Sequence, residues 1–309
     1  MATISVLMSV YASEKPENLR RSLQSIWEDQ QRKPDEIVIV EDGPLSKELH
    51  STIQTFRGKV GNRLKLLRNE VNLGLPKSLN KGVEACTGDY IARMDSDDIS
   101  MPCRFRLQEE YMERHPEVGV LGGSIREFNE NCEDLGTRTY PVDEDVVRHY
   151  ICKANPLAHS TVMIRRNMVF GSGLRYDETH RTSQDLALWY DCLAHGIRIT
   201  NLTELTLRFR RDTTTLARRG RQSSRNDEFA IYVSGIRKLY GPCSWRNVYP
   251  LVRYMFRMIP TSMVKSLYSA EFRQKLLHRH RKKRKDENLW NNHSLQPSYR
   301  RGKREYCQL

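Results

Sequence analysis

Three carboxylates, Asp95, Asp97 and Asp98, stand within four residues of the stretch GDYIARMDSDDISMP. Acidic side chains packed this closely repel one another, so the arrangement needs a reason. One reading is a solvated turn whose aspartates open the next helix. The other is a site for a hard cation. Two carboxylates spaced by one residue at a strand end can turn into one cleft and hold Mg2+ or Mn2+ together with substrate phosphates. The chain has neither a GxxxxGK[ST] loop nor a GxGxxG fingerprint, so a nucleotide site here would grip phosphates through a metal.

The elements that must position these residues alternate between two periods. ISVLMSVY is strand-like, and PENLRRSLQSIWEDQ follows with Leu19, Leu23, Ile26 and Trp27 on one helical face. DEIVIVEDG and LKLLRNE are short apolar runs. LPKSLNKGVEAC repeats Leu75, Leu79, Val83 and Cys86 at helical spacing, and DYIARMD is a fourth strand. Ser100 reads as the N-cap of a helix over MPCRFRLQEEYMERH, with Pro102 at its start. VGVLGGSI is a further strand. Strands separated by helices of this length predict crossover units and a largely parallel α/β sheet. In such sheets ligands lie beyond the carboxyl ends of the strands. Three ends carry polar residues that would then converge: Ser9 and Tyr11, Glu41 and Asp42, and Asp95 to Asp98.

The second half is less regular. ANPLAHSTVMIRRNMV holds an apolar strand followed by two arginines. TSQDLALWYDCLAHG reads as an amphipathic helix closed by Gly196. RITNLTELTLRFRRD alternates like a strand, and helices are expected beyond about Gly220.

The totals narrow the class. No run of 18 apolar residues marks a membrane span. MATISVLMSVYASEK reads as a first strand and not as a signal peptide. The seven cysteines are scattered, with no CxxC pair, which predicts neither a disulfide framework nor a structural zinc site and fits a reducing cytosol. The net charge is +13, but from Gly241 onward 16 Lys and Arg face 4 Asp and Glu, so the basic excess lies almost wholly in that segment. Such asymmetry points to an anionic surface as partner.

Taken in order, these blocks resemble the family 2 glycosyltransferases of the GT-A fold, an inverting, metal-dependent class. ISVLMSVYASEKPENLRRSLQSI resembles that family's first strand, nucleotide loop and helix, and DEIVIVEDG its second strand. NEVNLGLPKSLNKGVEACTGDYIARMDSDD resembles its Asn-x-Gly segment, helix and DxD motif. ANPLAHSTVMIRR and SQDLALWYDCLAHG resemble the acceptor-side strand and the helix carrying the catalytic base. The likeness covers roughly residues 3 to 215.

The resemblance implies roles. Ser9, Tyr11 and Asp42 would hold the base and ribose of a nucleotide. Asp95 would lie near ribose and metal, Asp97 would ligate the metal, and Asp98 would support them or start the helix. Asp185 would be the general base, taking a proton from an acceptor hydroxyl, while the cation stabilises a departing diphosphate. Lys77, His159, Arg210 and Arg211 are candidate diphosphate or acceptor contacts, as is Arg208, and Asn72, Gly74 and Lys77 would line the nucleotide pocket. Other readings stand beside these: Asp185 as a helix-opening acid, Tyr11 as a core aromatic, His159 as a packed histidine, Gly74 as a turn glycine. The chain also departs from the pattern. Ala187 stands where many relatives have a second acid, and Arg211 and Asp212 replace a histidine. No QxxRW motif marks a processive synthase, so single-sugar transfer is expected.

The expected organisation is a GT-A catalytic domain over 1–220, a helical, membrane-associating basic extension over 221–285 and a disordered basic tail over 286–309. WRNVYPLVRYMFRMIPTSMVKSLY mixes aromatic and basic residues and is interrupted by Pro250 and Pro260, and RQKLLHRHRKKRK carries eight Lys and Arg in thirteen residues. Anionic lipid is the expected partner of this tail, not nucleic acid. The implied activity is transfer of a sugar from a UDP-sugar to a saccharide acceptor, lipid-linked, at the inner face of a bacterial membrane. The alternatives are a nucleotide-sugar or membrane-binding module without catalysis, and a sugar-nucleotide pyrophosphorylase, whose Gly-rich activating loop SVYASEK lacks.

Overall fold

The structure is a computed structural model and describes residues 2–180, 182–211 and 222–258. The first half holds β1 (Ile4–Tyr11), α1 (Pro16–Ile26), β2 (Glu36–Asp42), α2 (Lys47–Val60), β3 (Leu64–Arg68), α3 (Leu75–Ala85) and β4 (Tyr90–Asp95). Then come β5 (Ile99–Ser100), α4 (Arg104–Arg114), β6 (Val118–Phe128), β7 (Asp134–Arg138), α5 (Glu144–Tyr150), β8 (Met163–Arg165), α6 (Arg166–Val169), α7 (Gln184–Ala194) and β9 (Arg198–Arg210). Two helices follow, α8 (Gln222–Tyr240) and α9 (Val248–Met258).

All nine strands join one sheet, ordered β3-β2-β1-β4-β8-β6-β9-β5, with β7 on the edge of β6. As expected, β1 to β4 pair in parallel. Beyond β4 the sheet is mixed: β8 runs antiparallel between β4 and β6, while β6 and β9 are parallel. Both faces are covered, which is why β1 and β2 read as continuous apolar runs. On one face Ile4, Val6, Met8 and Val10 of β1 meet Leu19 and Leu23 of α1, Ile53 of α2 and Phe105 of α4. On the other, Leu7, Val38, Val40 and Ile91 meet Leu79 and Val83 of α3 and Trp189 of α7.

Local chemistry sets the element ends. Pro16 opens α1, where its missing N–H costs nothing. The helix α2, which the sequence analysis did not single out, is capped by Ser46 Oγ, which accepts from Leu49 N at 3.2 Å. Its buried Leu49, Ile53, Phe56 and Val60 keep helical spacing. The α4 reading needs correction. Ser100 is not an N-cap: it pairs with Leu207 of β9, its N–H donates to Ser25 Oγ and its hydroxyl accepts from Gln30. The helix begins at Arg104 instead, with Pro102 outside it. Pro250 does not interrupt its helix either, because it sits in the first turn of α9, where a missing N–H is tolerated.

By its internal contacts the chain divides into two compact units, residues 1–251 and 252–309. The helix α8 lies within the first. It buries Ile231, Tyr232 and Ile236 in the core that holds α7, each worth about 1.5–3 kcal/mol of apolar transfer for the aliphatic side chains. This unit therefore runs past the boundary expected at residue 220. No described helix is long and apolar enough to cross a membrane. RQKLLHRHRKKRK, Pro260, Asp212 and the 286–309 tail lie outside the described residues.

Candidate active site

The parallel register brings the expected strand ends together. Ser9 stands between Val40 of β2 and Asp95 of β4, and Tyr11 lies opposite Asp42. Ser9 and Tyr11 are half-buried. Asp42 is buried at the tip of β2 and organises the loop before α3. Its Oδ1 accepts from Leu73 N at 2.8 Å and Asn69 Nδ2 at 3.1 Å, and its Oδ2 from Gly74 N at 3.0 Å. Asn72 Nδ2 donates to the Asp42 carbonyl. Gly43, at φ +87°, lets the two loops approach: a Cβ there would stand 2.7 Å from Asn72 N. Lys77 is exposed on the first turn of α3.

The β4 end leads into the aspartate cluster. One carboxylate oxygen from each of Asp95, Asp97 and Asp98 lies within 4.8 Å of the others. Asp98 is not a helix-start residue. Its Oδ1 accepts from the backbone N of Arg210 at 2.8 Å, while its buried Oδ2 has no hydrogen-bond partner. Burial, Asp95 and the nearby Glu14 push Asp97 up to about 7. Burial and the neighbouring Asp97 and Asp95 raise Asp98 well above the ordinary carboxylate range. Glu14, which the sequence analysis missed, holds the loop by accepting from Ser96 Oγ at 2.5 Å. Crowded, desolvated oxygens with an orphaned Oδ2 are the donor set a hard divalent cation satisfies. The residues present fit such an ion.

The strand β9 closes this side. Arg210 donates from Nε to the Asp97 carbonyl at 3.1 Å and lies over the Phe128 ring, 4.7 Å from its centroid. Arg208 also lies over Phe128. Arg211 instead pairs with Glu127 at 3.1 Å. Of the three arginines, Arg210 alone is thus seen bonded to the aspartate loop.

Asp185 sits in the first turn of α7, half-buried. Just before it Ser183 adopts a left-handed conformation, φ +61°, which is unfavourable for a non-glycine residue and recurs at functional sites. Asn155 Nδ2 donates to Asp185 Oδ2 at 2.6 Å. Burial raises the Asp185 carboxyl, opposed by the Leu186 N–H, Asn155 and the charge of Arg93. Ala187 packs against the core. His159 is indeed packed: Nε2 meets Tyr176 Oη at 3.0 Å and the ring lies edge-on to Trp189. Burial, reinforced by Arg93, holds it well below the ordinary histidine range, so it stays neutral. Tyr176 is fastened to α3 by two hydrogen bonds with Asn80.

Arg93 stands beside the aspartate cluster. It is 3% exposed, on β4, two residues before Asp95, and forms an ion pair with it. Burial works against its charge, but Asp95 outweighs burial and raises its pKa. The signal was present in the sequence: period two puts Arg93 and Asp95 on one face of a strand otherwise apolar.

Comparison with known proteins shows the family and the fold. The model of "Glycosyl transferase family 2" matches residues 5–172. The chain is 33% identical over 267 residues to the amylovoran biosynthesis glycosyltransferase AmsE of Erwinia amylovora, covering 86% of this chain and 98% of that one. It is 29% identical to an Escherichia coli UDP-Gal:alpha-D-GlcNAc-diphosphoundecaprenol beta-1,3-galactosyltransferase, covering 87% and 96%. Among solved structures, residues 1–349 of S. aureus TarS in complex with UDP-GlcNAc superpose with a TM-score of 0.60 at 18% identity, covering 82% of this chain and 72% of that one. Against the longer TarS chain the coverage is 43% of TarS. The mannosyltransferase PcManGT of Pyrobaculum calidifontis, in complex with GDP-Man and Mn2+, gives 0.60 at 12% identity, covering 94% and 88%. The fold is GT-A, and the chain belongs to glycosyl transferase family 2 and is a glycosyltransferase.

Proposed function

We propose that this enzyme transfers a single sugar from a UDP-sugar to a hydroxyl of a lipid-linked saccharide, with inversion and with a divalent cation, in the assembly of a bacterial surface polysaccharide. One observation carries the reading. Oxygens of Asp95, Asp97 and Asp98 converge within 4.8 Å at the end of β4, which supports a cation grip on a nucleotide sugar, and Asp185, held by Asn155 at the start of α7, supplies a base in this reading. The names of two relatives, one acting on a UDP-Gal donor and a diphosphoundecaprenol acceptor and one in amylovoran biosynthesis, support the donor, the acceptor and the pathway.

In this mechanism Ser9 and Tyr11 bear on the base and ribose, and Asp42 keeps the 69–74 loop in place around them. Asp95, Asp97 and Asp98 would hold Mg2+ or Mn2+, and the bound cation would supply positive charge to offset that of the departing diphosphate. Asp185 Oδ accepts the proton of the acceptor hydroxyl. The acceptor oxygen bonds to the anomeric carbon from the face opposite the diphosphate. The bond from that carbon to the diphosphate oxygen breaks, and its electron pair leaves with UDP. No acid is needed at the leaving group, unlike glycoside hydrolysis with its paired carboxylates. His159, neutral, positions Tyr176 and does not carry charge.

The enzyme works at the cytoplasmic face of the inner membrane in this reading. Trp245, Val248 and Leu251 are exposed apolar residues just ahead of the basic sequence, and polybasic segments gain about 1 kcal/mol per Lys or Arg near anionic lipid. Removal of residues 270–309 should release the protein from anionic vesicles in a flotation assay; a truncated chain that still floats removes the tail as anchor. The activity itself is tested by UDP release from a panel of UDP-hexoses with Mn2+ and a lipid-linked acceptor. Loss of turnover in both Asp97→Ala and Asp185→Asn is the expected result. Tight UDP binding by the wild type without transfer to any acceptor would instead favour a binding module.

A further inference from the structure

The loop that follows α5 sets one amide against the Asp185 carboxylate. Asn155 Nδ2 donates to Asp185 Oδ2 at 2.6 Å, and Asn155 Oδ1 accepts from Leu157 N at 3.2 Å. A backbone N–H can only donate, so the second bond fixes which end of the amide faces Asp185: the NH2 end. Among the described residues no other side chain hydrogen-bonds this carboxylate; the N–H groups of Leu186 and of Asp185 itself also bear on it. The loop does not need the Asp185 bond to stay in place. Tyr190 Oη of α7 donates to the Ile151 carbonyl at 3.0 Å, Asn201 Nδ2 of β9 donates to the Pro156 carbonyl at 3.1 Å, and Leu157 is buried in the core.

The bond has the form that a general base requires. A carboxylate held through one oxygen by an N–H takes a proton on the other, here Oδ1. Once Oδ1 is protonated, Oδ2 keeps its lone pairs and still accepts from Asn155, so the bond survives the transfer. The base then keeps one orientation in both protonation states, and a fixed orientation lets an acceptor hydroxyl meet it in reacting geometry. A neutral amide achieves this without adding charge. Lysine or arginine at 155 would favour the ionised form more strongly and weaken the base. The other ionisable groups that bear on Asp185 are Arg93 of β4, whose charge Asp95 secures, and Tyr176, whose hydroxyl burial pushes up and keeps neutral.

We propose that Asn155 is a positioning residue for sugar transfer: its amide fixes Asp185 through Oδ2 and leaves Oδ1 as the oxygen that takes the acceptor proton. This rests on the reading of Asp185 as base and adds which oxygen acts and what holds it. Asn155→Asp separates this role from support of the loop. The aspartate keeps the shape of asparagine and an acceptor for Leu157 N, but it sets a second carboxylate against Asp185 Oδ2 in place of a donor. Loop support alone would leave this variant close to wild type, whereas loss of positioning makes it the more impaired of the two variants tested here.

The test follows UDP release against pH, with the UDP-hexose and lipid-linked acceptor that the panel above selects, for wild type, Asn155→Ala, Asn155→Asp and Asp185→Asn. Asn155→Ala should raise the acid limb of kcat/KM by about one pH unit, because the ionised carboxylate loses a donor. It should lower kcat about tenfold or more, with KM for the UDP-hexose within about twofold of wild type. Asn155→Asp should raise the limb further, because two adjacent carboxylates cannot both ionise freely. A limb that stays with the wild type in either variant overturns the proposal even where rate is lost, since a loop support lowers activity without moving the titration. Should Asn155→Ala fail to fold by circular dichroism, Asn155→Asp decides alone by the same criterion. Turnover by Asp185→Asn at the wild-type rate overturns instead the base reading, and the role of Asn155 with it. Stability offers a readout that needs no substrate. The fall in urea midpoint caused by Asn155→Ala should be larger at about pH 8, where Asp185 is ionised, than at about pH 4, and this difference should vanish in the Asp185→Asn background. An equal fall at both pH values in the protein that retains Asp185 overturns the proposal.

Discussion

The backbone N–H of Arg210 donates to Asp98 Oδ1 at 2.8 Å, across 112 residues of chain. This bond fastens the end of β9 to the aspartate loop that follows β4. It also explains why Asp98, which the sequence suggested either for support of the cation site or for a helix start, is buried. Asp98→Ala should leave the Arg210 N–H unpaired and cost about 2 kcal/mol, whereas Asp98→Asn, which keeps an acceptor, should cost about 1 kcal/mol or less. Urea unfolding midpoints of the two variants measure the difference; equal midpoints would show that the bond contributes nothing.

Asp185→Asn should separate activity from stability. Burial raises the folded carboxyl of Asp185 above its ordinary value of 3.8. The folded state therefore binds this proton more tightly than the unfolded state does, and wild-type stability falls as pH rises through the window from the unfolded to the folded pKa. The amide cannot ionise, so the variant lacks that fall. At pH 7 it should melt no lower than wild type while losing transfer. The acid limb of kcat/KM for wild type should lie above the ordinary aspartate range. A limb at or below 3.8 would remove Asp185 as the base.

Chelation addresses the aspartate cluster. EDTA should abolish UDP release and added Mn2+ should restore it. With Mn2+ and UDP about a hundredfold above their dissociation constants, the wild type should gain about 2.7 kcal/mol of stability. Asp97→Ala should gain much less, because one of three converging carboxylates is gone. Full activity in EDTA after exhaustive dialysis would show that the cluster acts without a cation.

Two glycines test the packing. Gly235 of α8 lies against Tyr190, and a Cβ there would fall 2.2 Å from the ring. Gly235→Leu should cost about 1–3 kcal/mol through overpacking, although it lies outside the sequence-expected catalytic domain. Gly58, exposed inside α2, has nothing within 4 Å of an added Cβ. Gly58→Ala should stabilise by about 0.5–1 kcal/mol. Thermal melts that fail to move in opposite directions would place α8 outside the core.

The sequence by itself determined the first half of the sheet. The apolar runs of β1, β2 and β4 and the Leu79 and Val83 spacing of α3 are local signals, because strand and helix periods act over a few residues. The same locality put Ser9, Asp42 and Asp95 at strand ends, and parallel pairing then made them neighbours. Tertiary structure alone decided what depends on contacts distant in sequence. Ser100 looked like a cap until Leu207 paired with it. Helix α8 looked like an extension until Ile231 and Ile236 were buried beside α7. Arg211 looked equivalent to Arg210, but Arg210, the last residue of β9, meets the aspartate loop, while Arg211 just beyond the strand pairs with Glu127.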